Sequence, residues 1–175
     1  MHIRRARLDD CAGLARVQVD SYRTAYAGIM PQDYLDHFTY EEQEQDWRDL
    51  LSDATGDILL VAVADSGEVA GYALDRPGET EVAPYDSELV ALHVRCPHHG
   101  QGIGCQLVSA MAEQLRQRGC RSFMLWVLEE NGSRGFYERL GGQLLDETKH
   151  SGAGPLEVAY GWPAIEHLCR GGSPP

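Results

Sequence analysis

The chain has 175 residues, 43% of them hydrophobic and 24% charged, which suits one globular domain with a substantial core and is too apolar for a disordered chain. Lys plus Arg number 15 against 27 Asp plus Glu, a net charge of −12; a surface of that sign repels phosphate backbones, disfavours nucleic-acid binding and attracts cations. No apolar run is long enough to span a bilayer, and residues 1–20 scatter Arg, Asp and His through their apolar positions, so a signal-peptide core is absent, no membrane contact is expected, and the cytoplasm is the expected compartment.

Residues 2–6 read as a short edge-like strand. Asp9 or Asp10 can cap a helix reaching about Ala25, with Leu14, Val17 and Tyr22 among its apolar positions. Residues 28–31 break it, and Pro31 suits the first turn of a second helix running to about Leu51. That stretch carries Asp33, Asp36, Glu41, Glu42, Glu44, Asp46, Asp49 and Asp53 against Arg48, either as a solvated helical face or as an acidic rim for a cationic substrate. Residues 58–64 and 69–74 form two strands joined by the turn Asp65-Ser66-Gly67. Residues 88–94 alternate and run into a loop punctuated by Pro and Gly. From 102 to 118 the pattern is helical: Ile103, Leu107, Met111 and Leu115 recur every four residues, and Gly119 stops it. Residues 121–128 read as a buried strand, 133–140 as a short helix closed by Gly141-Gly142, and 143–148 and 156–160 as two last strands. The order predicts an α/β (α+β) fold over residues 1–168: a mixed, mostly antiparallel sheet of about seven strands flanked on both faces by about four helices, with one parallel pair at the strand-helix-strand crossover. Residues 169–175 read as a flexible tail.

The five cysteines are odd in number and include no Cys-x-x-Cys pair, which argues for free thiols. Cys96-Pro97-His98-His99, with His93 nearby, lacks the second ligand pair a zinc site needs, so it reads as a polar loop and no metal is expected.

His99-Gly100-Gln101-Gly102-Ile103-Gly104 lies between a strand and a helix. Glycines at alternate positions let backbone N–H groups converge on one concavity, and the helix adds its own free N–H groups and positive dipole end. The natural guest is a phosphate or pyrophosphate. No Gly-Lys-Ser/Thr follows, so this is not a P-loop, and a dinucleotide fingerprint from Gly100 would need glycine where Cys105 stands.

Residues 88–94, the loop 99–104 and the stretch from Asn131 through Phe136-Tyr137 to Gly141-Gly142, in that order, resemble the GNAT superfamily of N-acetyltransferases. Gly102 and Gly104 match the family's loop pattern, and His99 stands where Arg or Gln is usual. The stretch from Tyr22 to Pro31 is similar to a bacterial branch of unassigned substrate. The resemblance implies acetyl-CoA as cosubstrate. It places Leu92, His93 and Val94 along the pantetheine arm as an added strand, His99, Gly100, Gln101, Gly102, Gly104 and Cys105 around the pyrophosphate, and Asn131 on the pantetheine or the phosphates. By position it makes Glu88 the candidate general base, acting through water, and Tyr137 the candidate general acid toward the departing sulfur. Val94 N–H is the candidate donor to the acetyl carbonyl.

The chemistry explains why such groups are needed. An amine of pKa about 10.4 is a non-nucleophilic ammonium at neutral pH, and a thiolate leaves more readily when it receives a proton. Tyr22, Tyr26, Trp126, Tyr160 and Trp162, with Glu88, are candidates for the acceptor cleft, where aromatic faces suit a cation. Three readings stay open: transfer to a small amine, transfer to a protein lysine or N-terminus, and acyl-CoA sensing without catalysis. The oligomeric state is open between monomer and homodimer.

Overall fold

The computed structural model describes residues 1–53, 55–78, 80–150 and 154–168; the expected tail, 169–175, lies outside them. The chain opens with β1 (His2–Arg5) and α1 (Cys11–Ala25). Asp10 stands at the entrance of α1, but its carboxylate does not cap the helix. It accepts from Arg7 N–H at 2.8 Å and from the Arg4 guanidinium at 2.6 and 2.9 Å. That pairing lets a charged side chain sit buried, and the Arg4 hydrogen bond holds its pKa below the ordinary carboxylate range.

The stretch expected as one helix from Pro31 is two, α2 (Gln32–Asp36) and α3 (Tyr40–Ser52). Thr39 takes an extended backbone, and its hydroxyl accepts from Glu42 N–H at 3.2 Å and donates to the Glu42 carboxylate at 2.8 Å. This Thr-x-x-Glu cap starts a new helix and overrides the intrinsic tendency to continue. Trp47 is the buried residue of α3 and its first-turn acids are exposed, so the acidic stretch is a solvated face.

Six strands follow α3 and, interleaved with two helices, run β2 (Ile58–Val63), β3 (Val69–Pro77), β4 (Ser87–Val94), α4 (Ile103–Gln117), β5 (Phe123–Leu128), α5 (Arg134–Arg139), β6 (Gln143–His150) and β7 (Leu156–Trp162), which with β1 make seven described strands. They form one sheet in the order β1-β2-β3-β4-β5-β7-β6, antiparallel throughout except between β4 and β5. The split of the second helix raises the described α-helices to five. On one face, Ile103, Leu107, Met111 and Leu115 of α4 pack with Leu60, Ala73, Leu125 and Val127. On the other, Leu14 and Val17 of α1 and Trp47 of α3 pack with Val61, Tyr72 and Leu74. Each such buried side chain contributes about 1.5–3 kcal/mol. Among the described residues no helix is long and apolar enough to cross a membrane.

One irregularity positions the site. Leu74 pairs with Ala91, but the next residue, Asp75, pairs with Leu89, so Val90 is an extra residue in β4. A bulge of this kind bends its strand. β4 and β5 meet in register only at Glu88 and Met124, and beyond that point they diverge.

Candidate active site

A cavity of about 740 Å³ opens where the two parallel strands part. Residues 88–94 of β4 form one wall and 125–128 of β5 the other. The loop after β4 closes one end, while α1 with its C-cap and α5 contribute Tyr22, Tyr26, Phe136 and Tyr137.

The donor side follows from strand geometry. Arg95 N–H donates to Ala70 O at 2.9 Å. Counting back along the antiparallel ladder, Tyr72 and His93 form a hydrogen-bonded pair, whereas Gly71–Val94 and Ala73–Leu92 do not. Leu92 and Val94 therefore direct their N–H and C=O groups away from β3, into the gap that β5 leaves open. The backbone of His93, expected to serve the same arm, is engaged with β3. The Val94 carbonyl already receives His99 Nε2 at 2.6 Å. A carbonyl can only accept, so that nitrogen carries the proton, and His99 ties the glycine loop to the strand end.

In the loop, Gly100 and Gly102 have φ of 74° and 75°, a region open to glycine and strained for other residues. Gly102 is the N-cap of α4 and no side chain caps the helix, so the N–H groups of its first turn, Ile103, Gly104 and Cys105, lack intrahelical partners. Gly104 is required for a different reason than the loop pattern suggests: a Cβ there would lie 3.0 Å from the Phe136 ring, so the residue lets α4 approach α5. Gln101 turns its side chain to Pro97 O at 3.1 Å and is not among the residues lining the cavity. Asn131 accepts from Ser133 N–H at 2.8 Å, shapes the turn into α5 and lines the cavity together with Cys105 and Arg139. Open strand edge, positive-φ loop and uncapped helix together fit an extended thiol-bearing chain ending in phosphates.

On the acceptor side, Tyr22 packs against Phe38, Tyr26 and His93, with ring centroids 4.6, 4.8 and 5.5 Å away. Burial pushes the Tyr26 phenol up, and the phenols of Tyr22 and Tyr137 reinforce it, which places Tyr26 and Tyr137 near one another. Tyr137 is buried; its pKa is pushed up to about 12 by desolvation, opposed by a hydrogen bond with the Ser133 side chain. Glu88 is half-buried, and desolvation raises its pKa against the pull of Lys149 and Arg76. His93, flanked by three tyrosine rings, is lowered to about 4 by burial and is neutral at pH 7.

Two expected acceptor residues do not line the cavity. Tyr160 and Trp162 project from β7 to the α4 face. The Tyr160 hydroxyl donates to Glu138 at 2.7 Å and accepts from Arg134 at 3.1 Å, and Trp162 Nε1 donates to Leu140 O at 2.9 Å. Strand alternation puts Glu157 on the cleft face instead, where it meets Lys149 of β6 at 3.6 Å. The Lys149 ammonium also sits 4.4 Å from the centroid of the Trp126 ring. Lys149, Glu157, Arg139 and the side chain of His93 are cavity residues that sequence reasoning missed. The opposed Lys and Glu at corresponding positions of the last hairpin were the available signal for the first two. Among the described residues no group of three or more His, Cys, Asp or Glu is placed to hold a metal ion.

Residues 79–151 match the model of the FR47-like protein family. The chain is 36% identical over 168 residues to YuaI of Bacillus subtilis (strain 168), an uncharacterized N-acetyltransferase, and the match covers 95% of both chains. The fold is similar to that of PaiA N-acetyltransferase from Thermoplasma acidophilum, solved in complex with coenzyme A: TM-score 0.74 at 20% identity, covering 92% of this chain and 98% of that one. It is also similar to ribosomal-protein-alanine N-acetyltransferase from Brucella melitensis: TM-score 0.69 at 22% identity, covering 93% and 99%.

Proposed function

The chain belongs to the GNAT superfamily of N-acetyltransferases, and from that premise we propose that it moves an acetyl group from acetyl-CoA to the amine of a small, cationic acceptor by direct attack. The observation that carries this reading is the divergence of β4 from β5 beside an uncapped helix start: one cleft offers a strand edge for the pantetheine arm and N–H groups for the pyrophosphate. The cosubstrate supplies the activated thioester; the chain's residues do the rest. Leu92 and Val94 hold the arm by their outward backbone groups, and Val94 N–H faces the carbonyl oxygen. Gly100, Gly102 and the first turn of α4 hold the phosphates, with the Asn131 amide and Arg139 on the same cavity wall.

Glu88, raised by its half-buried setting, accepts the acceptor's proton through water and passes it to solvent. Tyr137 keeps its proton at every working pH. With its pKa at about 12, complete transfer to a thiolate of pKa about 8.5 is uphill by roughly 5 kcal/mol, so it acts first as a hydrogen bond to sulfur that strengthens as charge develops. Tyr22, Tyr26 and Trp126 wall the acceptor end, and Glu88 and Glu157 give it negative charge. This enclosure favours a small amine over a protein segment.

A panel of small amines, amino acids and peptide N-termini, scored by release of CoA thiol, tests the reading. Turnover confined to small cationic amines is the expected result. Turnover confined to peptides moves the acceptor to protein, and tight acetyl-CoA binding with no turnover on any amine leaves a sensor.

A further inference from the structure

The sequence contains a single lysine, Lys149, and that lysine lies on the wall of the cleft in which an amine is to be acetylated. Its Nζ rests over the Trp126 ring at 4.4 Å and beside the Glu157 carboxylate at 3.6 Å, the kind of setting an ammonium acceptor would seek. Resting on the reading above, we infer that Lys149 is an internal acceptor: the protein acetylates its own cleft lysine when no better amine fills the site.

Three features support this. The side chain is about half exposed, at 46%, and an ion pair at such exposure is worth only about 0–1 kcal/mol, so the tether to Glu157 releases easily. Trp126 belongs to β5, the strand whose divergence from β4 makes the cleft, so the ammonium is already held on the acceptor side of that opening. Glu88, the candidate base, lies near enough to feel the Lys149 charge, so a group able to take its proton faces the same space.

The step balances without another reactant. The ammonium loses one proton to Glu88 and onward to solvent. The freed nitrogen pair forms the N–C bond to the thioester carbon, the C–S bond breaks, and the second nitrogen proton goes to the sulfur as CoA leaves as a thiol. The product is a neutral amide. It abandons the pair with Glu157 and leaves Glu88 with Arg76 alone of the two cations that offset it, a cleft more attractive to cations than the one it replaced. Self-acetylation is thus a means of resetting acceptor preference.

The chain holds just two primary amines, Lys149 and the α-amine of Met1, which is paired with Asp65 at 2.6 Å outside the cleft. The second is a built-in reference for non-enzymatic chemistry. The full-length protein is incubated with acetyl-CoA, without added amine, and followed by intact and peptide mass spectrometry. The expected result is one acetyl group on Lys149, formed at least roughly tenfold faster than on Met1. Its first-order rate constant saturates with acetyl-CoA, falls when CoA is added, and is independent of protein concentration; Lys149→Arg does not gain the group. Equal labelling of both amines, or a rate constant linear in acetyl-CoA and indifferent to CoA, overturns the inference, as does a rate constant that rises in proportion to protein concentration. So does an unmodified Lys149 in a protein that binds acetyl-CoA by calorimetry, which leaves the proposed function standing. Absence of acetyl-CoA binding removes both.

Discussion

Tyr137→Phe removes one hydroxyl from a buried ring whose packing against Phe136, Tyr160 and Trp162 stays in place. The expected result is a kcat lower by roughly 10²-fold with acetyl-CoA affinity nearly intact, read by steady-state kinetics and calorimetry. An unchanged kcat would take Tyr137 out of the mechanism. A second residue carries a prediction about stability. Asp75 is fully buried, its Oδ1 accepts from the Ser87 hydroxyl, its Oδ2 is without a partner, and burial pushes its pKa up to about 7. A folded-state pKa above the ordinary 3.8 means the native state binds the extra proton, so this group's contribution is complete below pH about 4 and lost as pH rises toward 7. Asp10 and Asp86 have the opposite sign, held low by the Arg4 hydrogen bond and by the Arg121 N–H respectively, and their contributions fail only in acid. His93, lowered to about 4, works the other way over the same range, so the test is a difference: the Tm of the wild type relative to Asp75→Asn should be higher at pH 5 than at pH 7. A Tm gap between the two proteins that is the same at pH 5 and pH 7 refutes the assignment. Residue identity also shows where sequence reasoning reached and stopped. Tyr137 and Glu88 could be chosen by motif position, but Tyr160 and Trp162 lie on the α4 face and Glu157 was not considered, because their faces depend on which side of β7 the helices cover.

At the scale of elements, the strand-loop-helix unit from β4 to α4 was legible because its signals are local: alternation, alternate glycines, and apolar residues every four positions. The bulge at Val90 was not, since an extra residue exists only relative to a partner strand, and nothing within residues 87–94 marks it. The break at Thr39 was legible in principle, through Thr39 and Glu42, but a proline-led helix with continuous charge masked it. β3 runs on past Leu74 into Asp75, where polarity suggested its end, because Ser87 across the ladder supplies a hydrogen bond. The glycine loop yields the test at this scale. Gly102→Val forces a branched side chain into a left-handed φ, a strain of roughly 1–2 kcal/mol, and puts methyl groups beside the N–H groups that would meet phosphate. Acetyl-CoA binding should fall below detection in calorimetry while the far-ultraviolet dichroism is retained; normal affinity would refute the phosphate loop.

Across the whole molecule, a net charge of −12 sets up a field that draws cations toward a cleft containing Glu88 and Glu157. That attraction is screened over about 10 Å at 0.1 M salt. The KM of a cationic amine should therefore rise severalfold between low and 0.5 M salt with kcat little changed, while a neutral acceptor of similar size shows no such trend. Salt-independent KM values for both would mean the overall charge plays no part in acceptor capture. Layering and the parallel crossover were readable from the order of elements, because that order leaves few ways to cover both faces of one sheet, whereas the placing of β7 between β5 and β6 was not.

The single point of register between Glu88 and Met124 has a mechanical meaning. The sheet is two half-sheets hinged at one rung, with a torn seam between them whose frayed threads are the outward amides of Leu92 and Val94. A guest lying along that seam stitches the halves together, so occupancy is transmitted as stiffness from the amino-terminal half to the carboxyl-terminal hairpin. Residues of α1 and α5 flank the tear, so an unpaired edge of the kind that elsewhere invites aggregation lies here between two helices and suits a slender ligand.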